Sequence, residues 1–347
     1  MTALTLSPAE SEEVVTQRIT EITPPRRPDR RSGVQPIAVV IGGQPGAAKS
    51  TVQDLVQAAL GPDTAASYEA DDDAGAHPRY DAAMRAGGID ALSNVVRNLP
   101  PDLSERCLDS LLSADPPYDV VTSAWLETGD RAKQAADIFH NAGHRTVMVY
   151  VATNEADSLL AIANRYQQSK DATGSGRWVD RELHDRVYPG IPDAAHAVEA
   201  GGYADDIYVV DRAGNVLYEN HRNADGTMQA PLGAKAALIA ERDRPPTPEE
   251  HQHFVETARS LRARGDQLEE PVGDMVRAAM RRQIRRPVAQ SASSEPVPGT
   301  RLDARLAALQ HVTGSGVAAP GGIAPPDSAD DARRPGGRPA PGQSRER

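Results

Sequence analysis

The run Gly42-Gly43-Gln44-Pro45-Gly46-Ala47-Ala48-Lys49-Ser50-Thr51 gathers glycines, one lysine and two hydroxyl side chains at a spacing suited to holding phosphate. The phosphate-loop template is G-x-x-x-x-G-K-[ST]; Gly43, Lys49 and Ser50 meet it, and Ala48 stands where the second glycine belongs. The chemistry is a nest of backbone N–H groups at a helix N-terminus, which attracts phosphate oxygens. Gly43, Gln44, Pro45, Gly46, Ala47, Ala48, Lys49, Ser50 and Thr51 therefore form the candidate binding set for ATP or GTP. Lys49 is placed to reach the β- and γ-phosphates, and the Ser50 hydroxyl to ligate Mg2+. A methyl at Ala48 crowds the backbone approach to phosphate or imposes an altered loop. The plain alternative is a Gly/Pro turn between strand and helix.

A second chemical segment is Tyr68-Glu69-Ala70-Asp71-Asp72-Asp73-Ala74-Gly75-Ala76-His77-Pro78-Arg79-Tyr80. Acidic side chains at the carboxyl end of a parallel strand, beside the loop strand, sit over the nucleotide crevice. Phosphoryl transfer needs a carboxylate to hold the acceptor hydroxyl, and this acidic run could supply one. Three consecutive aspartates are more usually a solvated turn. The nine histidines form no H-x-x-x-H pair with supporting carboxylates, and no G-x-S-x-G occurs, so neither a zinc site nor a serine triad is expected.

These residues need a scaffold, and the hydrophobic pattern describes one. Ile37-Ala38-Val39-Val40-Ile41 is a continuous apolar run, as in a strand covered on both faces. Val52, Leu55, Val56, Ala59 and Leu60 then repeat at helical spacing. Further strands are expected at 65–70, 118–123, 146–152, 206–210 and 216–218, and helices at 132–142 and 157–168. Alternating strands and helices imply a parallel sheet with helices on both faces. Segments 249–264 and 271–286 read as helices outside that sheet. Arg277, Arg281, Arg282, Arg285 and Arg286 crowd the last of them, as an acidic-partner surface or a solvated helix face.

Composition narrows the class. The chain has 347 residues, with Lys+Arg 38 against Asp+Glu 49 and a net charge of −11, which argues against bulk nucleic-acid or anionic-membrane binding. No apolar run approaches the ~20 residues of a membrane span, and no secretory signal is expected at the N-terminus. One cysteine, Cys107, rules out an internal disulfide framework. Twelve of thirteen aromatic residues lie between Tyr68 and Tyr218, which places the core there. The stretch 289–347 has 8 Pro, 8 Gly and no aromatic residue, and is expected to be disordered; within it, 300–311 could form a short amphipathic helix.

Gly-Gln-Pro-Gly in the loop, an acidic pair two residues apart and then His77-Pro78-Arg79-Tyr80 resemble the zeta toxin family of P-loop kinases over about residues 35–220. The family phosphorylates the 3′-hydroxyl of UDP-N-acetylglucosamine. Counting back from His77-Pro78, the resemblance implies that Glu69 and Asp71 are the family's acidic pair, with Asp71 as base or orienter of the sugar hydroxyl. It implies phosphate-contacting roles for Arg165, in Asn164-Arg165-Tyr166, and Arg177, in Gly176-Arg177-Trp178. Glu69, Glu105 and Ser123 become the implied substrate-binding residues. Two departures stand out. Ala74 replaces a basic residue before His-Pro, and Ser123-Ala124-Trp125-Leu126-Glu127 replaces a Glu-x-Thr-x-Arg-like pattern. The bland alternatives are a helix C-terminal cap or surface ion pair for Arg165, and a flexible connector at 172–176 for Arg177, although a Gly-bounded loop carrying an arginine also suits a closing lid.

The expected fold is α/β, a three-layer P-loop kinase core with a mostly parallel sheet, a helical C-terminal extension and disordered termini. Residues 1–34 are expected as an extension or linker in which 12–22 could be helical, 35–240 as the kinase domain, 241–288 as the helical extension and 289–347 as the tail. The expected function is ATP- or GTP-dependent, Mg2+-assisted phosphorylation of a nucleotide sugar in the cytoplasm, with a cognate antitoxin as partner. The alternatives are a nucleotide-binding regulator without catalysis and a kinase of another small metabolite.

Overall fold

The computed structural model describes residues 4–30, 33–289 and 301–309. Helix α1 (Pro8–Ile22) precedes strand β1 (Ile37–Gly42), the loop and α2 (Lys49–Leu60). β2 (Ala65–Tyr68) runs into a 3-10 turn (Ala70–Ala76), then α3 (Tyr80–Gly87), α4 (Ala91–Val96) and α5 (Leu103–Leu112). β3 (Asp119–Ala124), α6 (Gly129–Asn141), β4 (Arg145–Val151) and the long α7 (Glu155–Thr173) follow. α8 (Arg181–Val187) and α9 (Ile191–Gly201) lead to β5 (Asp206–Val210) and β6 (Val216–His221). Helices α10 (Ala234–Asp243), α11 (Pro248–Arg262), α12 (Glu270–Gln283) and α13 (Leu302–Leu309) complete the described chain.

The strands form one sheet in the order β2-β3-β1-β4-β5-β6, parallel except for the β5–β6 hairpin. Apolar strands are buried on both faces, as parallel sheets require. Ala38, Val40, Met148 and Tyr150 point into one layer, while Ile37, Val39, Ile41, Val147 and Val149 point into the other. The first layer is closed by α1, α5, α6, α9 and α10, and the second by α2 and α13. A third cluster joins α7 to α11 and α12 through Leu159, Ile162, Phe254, Val272 and Met275.

Three expectations change. β2 is not beside the loop strand: β3 lies between them, paired to both. The helix read as possible at 12–22 within the N-terminal extension runs from Pro8 to Ile22 and is part of the core rather than a tether. A Ser7–Glu10 capping box starts α1, and Val14, Val15 and Ile22 join the main core with Leu103, Cys107 and Leu111 of α5. In the tail expected to be disordered, the short amphipathic helix read as possible within 300–311 is present as α13 and is packed: Leu302 and Leu306 are fully buried in the α2 layer, and Leu302 N donates to Gly214 O. The rest of that reading, at 290–300 and 310–347, lies outside the described residues. The arginine cluster is largely spent on ion pairs. Arg282 meets Glu155 and Asp185, Arg286 meets Asp157, and Arg277 meets Asp274, so α12 is pinned to the acidic first turn of α7. Among the described residues no helix is long and apolar enough to cross a membrane.

Candidate functional site

The loop folds between β1 and α2 as its sequence implies. Gly46 has φ +75, and a Cβ there would lie 2.1 Å from the Ser158 carbonyl oxygen of α7, so only glycine fits. Ala48 is left-handed, φ +76 and ψ 29, as N-cap of α2. The loop thus keeps a glycine-type conformation with an alanine in it. The first N–H groups of α2 have no acceptor within the helix and open onto a cavity of about 650 Å3.

That cavity is walled by loop residues 45–51 together with Glu69, Asp71, Ser123, Arg165 and Arg177, so most of the predicted site converges. Lys49 Nζ donates to the carbonyl oxygens of Gly43 at 2.9 Å and Gln44 at 3.4 Å. Burial lowers its pKa to about 8; Glu69 and Asp71 oppose that shift, and Arg165 and Arg177 add to it. Gln44 lies beneath the loop. Its side chain donates to Thr153 O at 2.9 Å and accepts from the buried Arg242 at 2.9 Å. Ser50 and Thr51 are exposed on the cavity wall at the start of α2.

Register brings the acidic wall together. Tyr68 pairs with Thr122, so Glu69 emerges beside Ser123, whose N–H and Oγ donate to its two carboxylate oxygens at 2.6 and 2.8 Å. Burial raises the Glu69 pKa against those hydrogen bonds. Asp71, in the 3-10 turn, forms an ion pair with Arg177, whose guanidinium also lies 4.0 Å from Asp72. Arg165 sits inside α7, which continues to Thr173, so it caps no helix end. Burial and the neighbouring Arg177 lower its pKa. Glu105 is not brought to the site. It lies on the exposed face of α5, away from the cavity wall.

The three aspartates are not equivalent. Asp72 is exposed, whereas Asp73 is buried and accepts from Arg18 Nε (2.8 Å), Tyr68 Oη (2.8 Å) and Ser104 Oγ (3.2 Å). Sequence reasoning also missed Arg18, Trp125 and Arg212, which line the cavity, and Arg242 behind it. Trp125 had a signal in the Ser123–Glu127 segment that departs from the family pattern, whereas Arg18, Arg212 and Arg242 stand in no local motif and needed the fold to find them. Among the described residues no three His, Cys, Asp or Glu side chains cluster as a metal cage. The Ser50 hydroxyl, on the wall of the same cavity as Asp71, suits Mg2+ that would be held chiefly by phosphate oxygens and water.

The family model for Zeta toxin matches residues 16–223, more than half of the chain. Toxin PezT of Streptococcus pneumoniae serotype 4 is 23% identical over 197 residues, 56% of this chain and 76% of that protein. Toxin zeta of Streptococcus agalactiae is 24% identical over 188 residues, 53% of this chain and 63% of that protein. In three dimensions, a chain from the PezAT chromosomal toxin-antitoxin system of S. pneumoniae superposes with a TM-score of 0.59 at 19% identity, covering 75% of this chain and 98% of that one. With the family model spanning the loop, the acidic turn and both cavity arginines, the chain belongs to the Zeta toxin family.

Proposed function

We propose that the protein transfers the terminal phosphoryl group of ATP or GTP to a hydroxyl of a nucleotide sugar, UDP-N-acetylglucosamine being the leading acceptor. The observation that carries this reading is the convergence of Lys49, Arg165, Arg177 and Asp71 on one cavity above a phosphate-binding loop. The loop N–H groups and Lys49 hold the polyphosphate. Arg165 and Arg177 place two positive charges where the transferring group becomes most anionic. Asp71 accepts the hydrogen bond of the acceptor hydroxyl, orients its oxygen in line and takes its proton as the new P–O bond forms. For that, the Asp71–Arg177 ion pair must loosen or be shared when substrates enter. Glu69, locked to Ser123, shapes the acceptor side and keeps β2 and β3 in register. The Ser50 hydroxyl would hold Mg2+, which would supply positive charge against the phosphates. A cognate antitoxin is the partner class that fits a chain whose relatives are named toxins.

The test is nucleotide consumption with and without UDP-N-acetylglucosamine, in wild type and in Asp71→Asn. Transfer should occur, and Asp71→Asn should retain nucleotide affinity while losing ~10²–10⁴-fold in rate. Asp72→Asn, at an exposed carboxylate, is the control. Equal rates in wild type and Asp71→Asn would remove Asp71 from the chemistry. Nucleotide binding without transfer to any nucleotide sugar would leave the regulator or another metabolite as acceptor.

A further inference from the structure

The residue proposed to hold the acceptor hydroxyl stands on a weak platform. Asp71 lies in a seven-residue 3-10 helix with no side-chain cap, and such helices have poor hydrogen-bond geometry. A carboxylate used for in-line transfer has to be held within a fraction of an ångström of its working position. Something outside the turn must fix it.

One side chain reaches both sides of Asp71. Arg18, from the middle of α1, donates from Nη2 to the backbone carbonyl of Glu69 at 3.1 Å, two residues before Asp71. It donates from Nε to Asp73 Oδ1 at 2.8 Å, two residues after. The other Asp73 oxygen is occupied by Tyr68 Oη at 2.8 Å and Ser104 Oγ at 3.2 Å, which bind the turn to the end of β2 and the start of α5. The Arg18 guanidinium also lies 5.8 Å from the centroid of the Tyr68 ring. Asp73 is buried and Arg18 mostly so, with side-chain exposures of 3% and 11%, the remaining Arg18 Nη1 reaching Glu21 at 3.4 Å. A fork of donors is required: lysine carries the charge but cannot bridge a carbonyl and a carboxylate in one plane. α1 is itself tied down around the turn, by Arg79 to Glu10, Arg106 to Glu12 and His77 Nε2 to Leu4 O.

We infer that Arg18 is a positioning residue for Asp71. Its guanidinium ties the Glu69 carbonyl to the Asp73 carboxylate and so fixes the turn that carries the residue between them. The inference rests on the catalytic role proposed for Asp71. It gives α1, which precedes the phosphate loop, a part in transfer geometry rather than in nucleotide affinity.

The experiment combines kinetics with amide exchange on the full chain. Arg18→Lys should lower kcat for phosphoryl transfer by about tenfold to a hundredfold, less than loss of the base itself, with nucleotide KM unchanged. In an Asp71→Asn background the same change should alter kcat by less than about twofold, because the residue through which it acts is already gone. An equal loss in both backgrounds would make Arg18 a general structural residue and overturn the inference. If Asp71→Asn alone has no effect, the fault lies in the proposed function instead. Exchange needs no acceptor. Arg18→Lys should speed exchange across 70–76 by about tenfold while α1 and α2 stay protected, and unchanged protection at 70–76 would overturn the clamp. Should Arg18→Lys loosen α1 itself, Asp73→Asn, which leaves Arg18 in place, decides on the same two readouts.

Discussion

Lys49 offers a prediction whose size follows from the structure. Its pKa is lowered from 10.5 to about 8, first by burial and further by Arg165 and Arg177, against the pull of Glu69 and Asp71. Because the folded value lies below the unfolded one, the buried ammonium costs stability in full below about pH 8. That cost fades as pH rises toward 10.5. A bound triphosphate reverses the shift, since it sets several negative charges against the ammonium. If the complex restores the ordinary 10.5, the dissociation constant scales as (1 + 10^(pH−8))/(1 + 10^(pH−10.5)). Between pH 7.5 and 9 that ratio rises about eightfold, or ~1.2 kcal/mol. Proton uptake on binding approaches about 0.9 at pH 9. Calorimetry with a non-hydrolysable ATP analogue and saturating Mg2+, in two buffers of different ionisation enthalpy, measures both quantities. Lys49→Arg keeps its charge throughout this range and should flatten the profile. A dissociation constant that stays level from pH 7.5 to 9, with no proton uptake, would show that Lys49 does not meet the phosphates as an ammonium regained on binding. Thermal stability of the free protein should carry a Lys49 contribution of opposite slope, rising over the window in which affinity falls.

Three further outcomes are expected. Ala48→Gly should raise stability by about 0.5–1 kcal/mol, because a left-handed alanine costs roughly 1–2 kcal/mol and glycine's freedom in the unfolded chain returns part of the gain; a lower melting temperature for Ala48→Gly would refute it. Leu306→Ala should cost about 2–4 kcal/mol in denaturant unfolding if α13 is seated on α2, and nothing if that segment is unfolded in solution. Glu105→Ala, on the exposed face of α5, should leave transfer rate and acceptor KM within twofold of wild type, and a large rise in KM would return Glu105 to the site.

The elements that were legible in the sequence are those whose signal is local. Val39 and Val147 lie in apolar runs buried on both faces, and Val52 and Val56 lie on one helical face, so β1, β4 and α2 could be placed by periodicity alone. Lys49 and Ser50 were legible because phosphate chemistry fixes their spacing to the loop. What local pattern could not supply was adjacency. Nothing in Tyr68–Asp71 says that β3 will lie between β2 and β1, and strand order follows from packing of the whole sheet. Asp73 looked interchangeable with Asp72 because the two differ only in which way the turn points them, one toward Arg18 and one toward solvent. The α13 segment looked unable to build a core because its only apolar residues are leucines and alanines and the stretch around it is rich in Pro and Gly. It builds none, but borrows the one beneath α2.

Strand order also explains how the two halves of the site are held apart. On one side the phosphate loop is fixed from α7 and α10. The Ser158 carbonyl leaves room only for Gly46, and Ser158 Oγ lies 2.8 Å from His184 Nε2, a ring that burial holds below its ordinary pKa. Arg242 reaches Gln44 and the Tyr188 carbonyl, both at 2.9 Å, with its guanidinium 4.1 Å from the Tyr188 ring centroid. On the other side the acidic turn is fixed from α1 and α5 through Asp73. Between them runs β3, whose Ser123 pairs in register with Ile41 of the loop strand and donates to Glu69. A side chain that repacks α7 should therefore change how the phosphate donor is held, and one that repacks α1 should change how the acceptor is aligned. With the intervening strand hydrogen-bonded on both edges, the spacing between the loop and the acidic turn is set by the sheet.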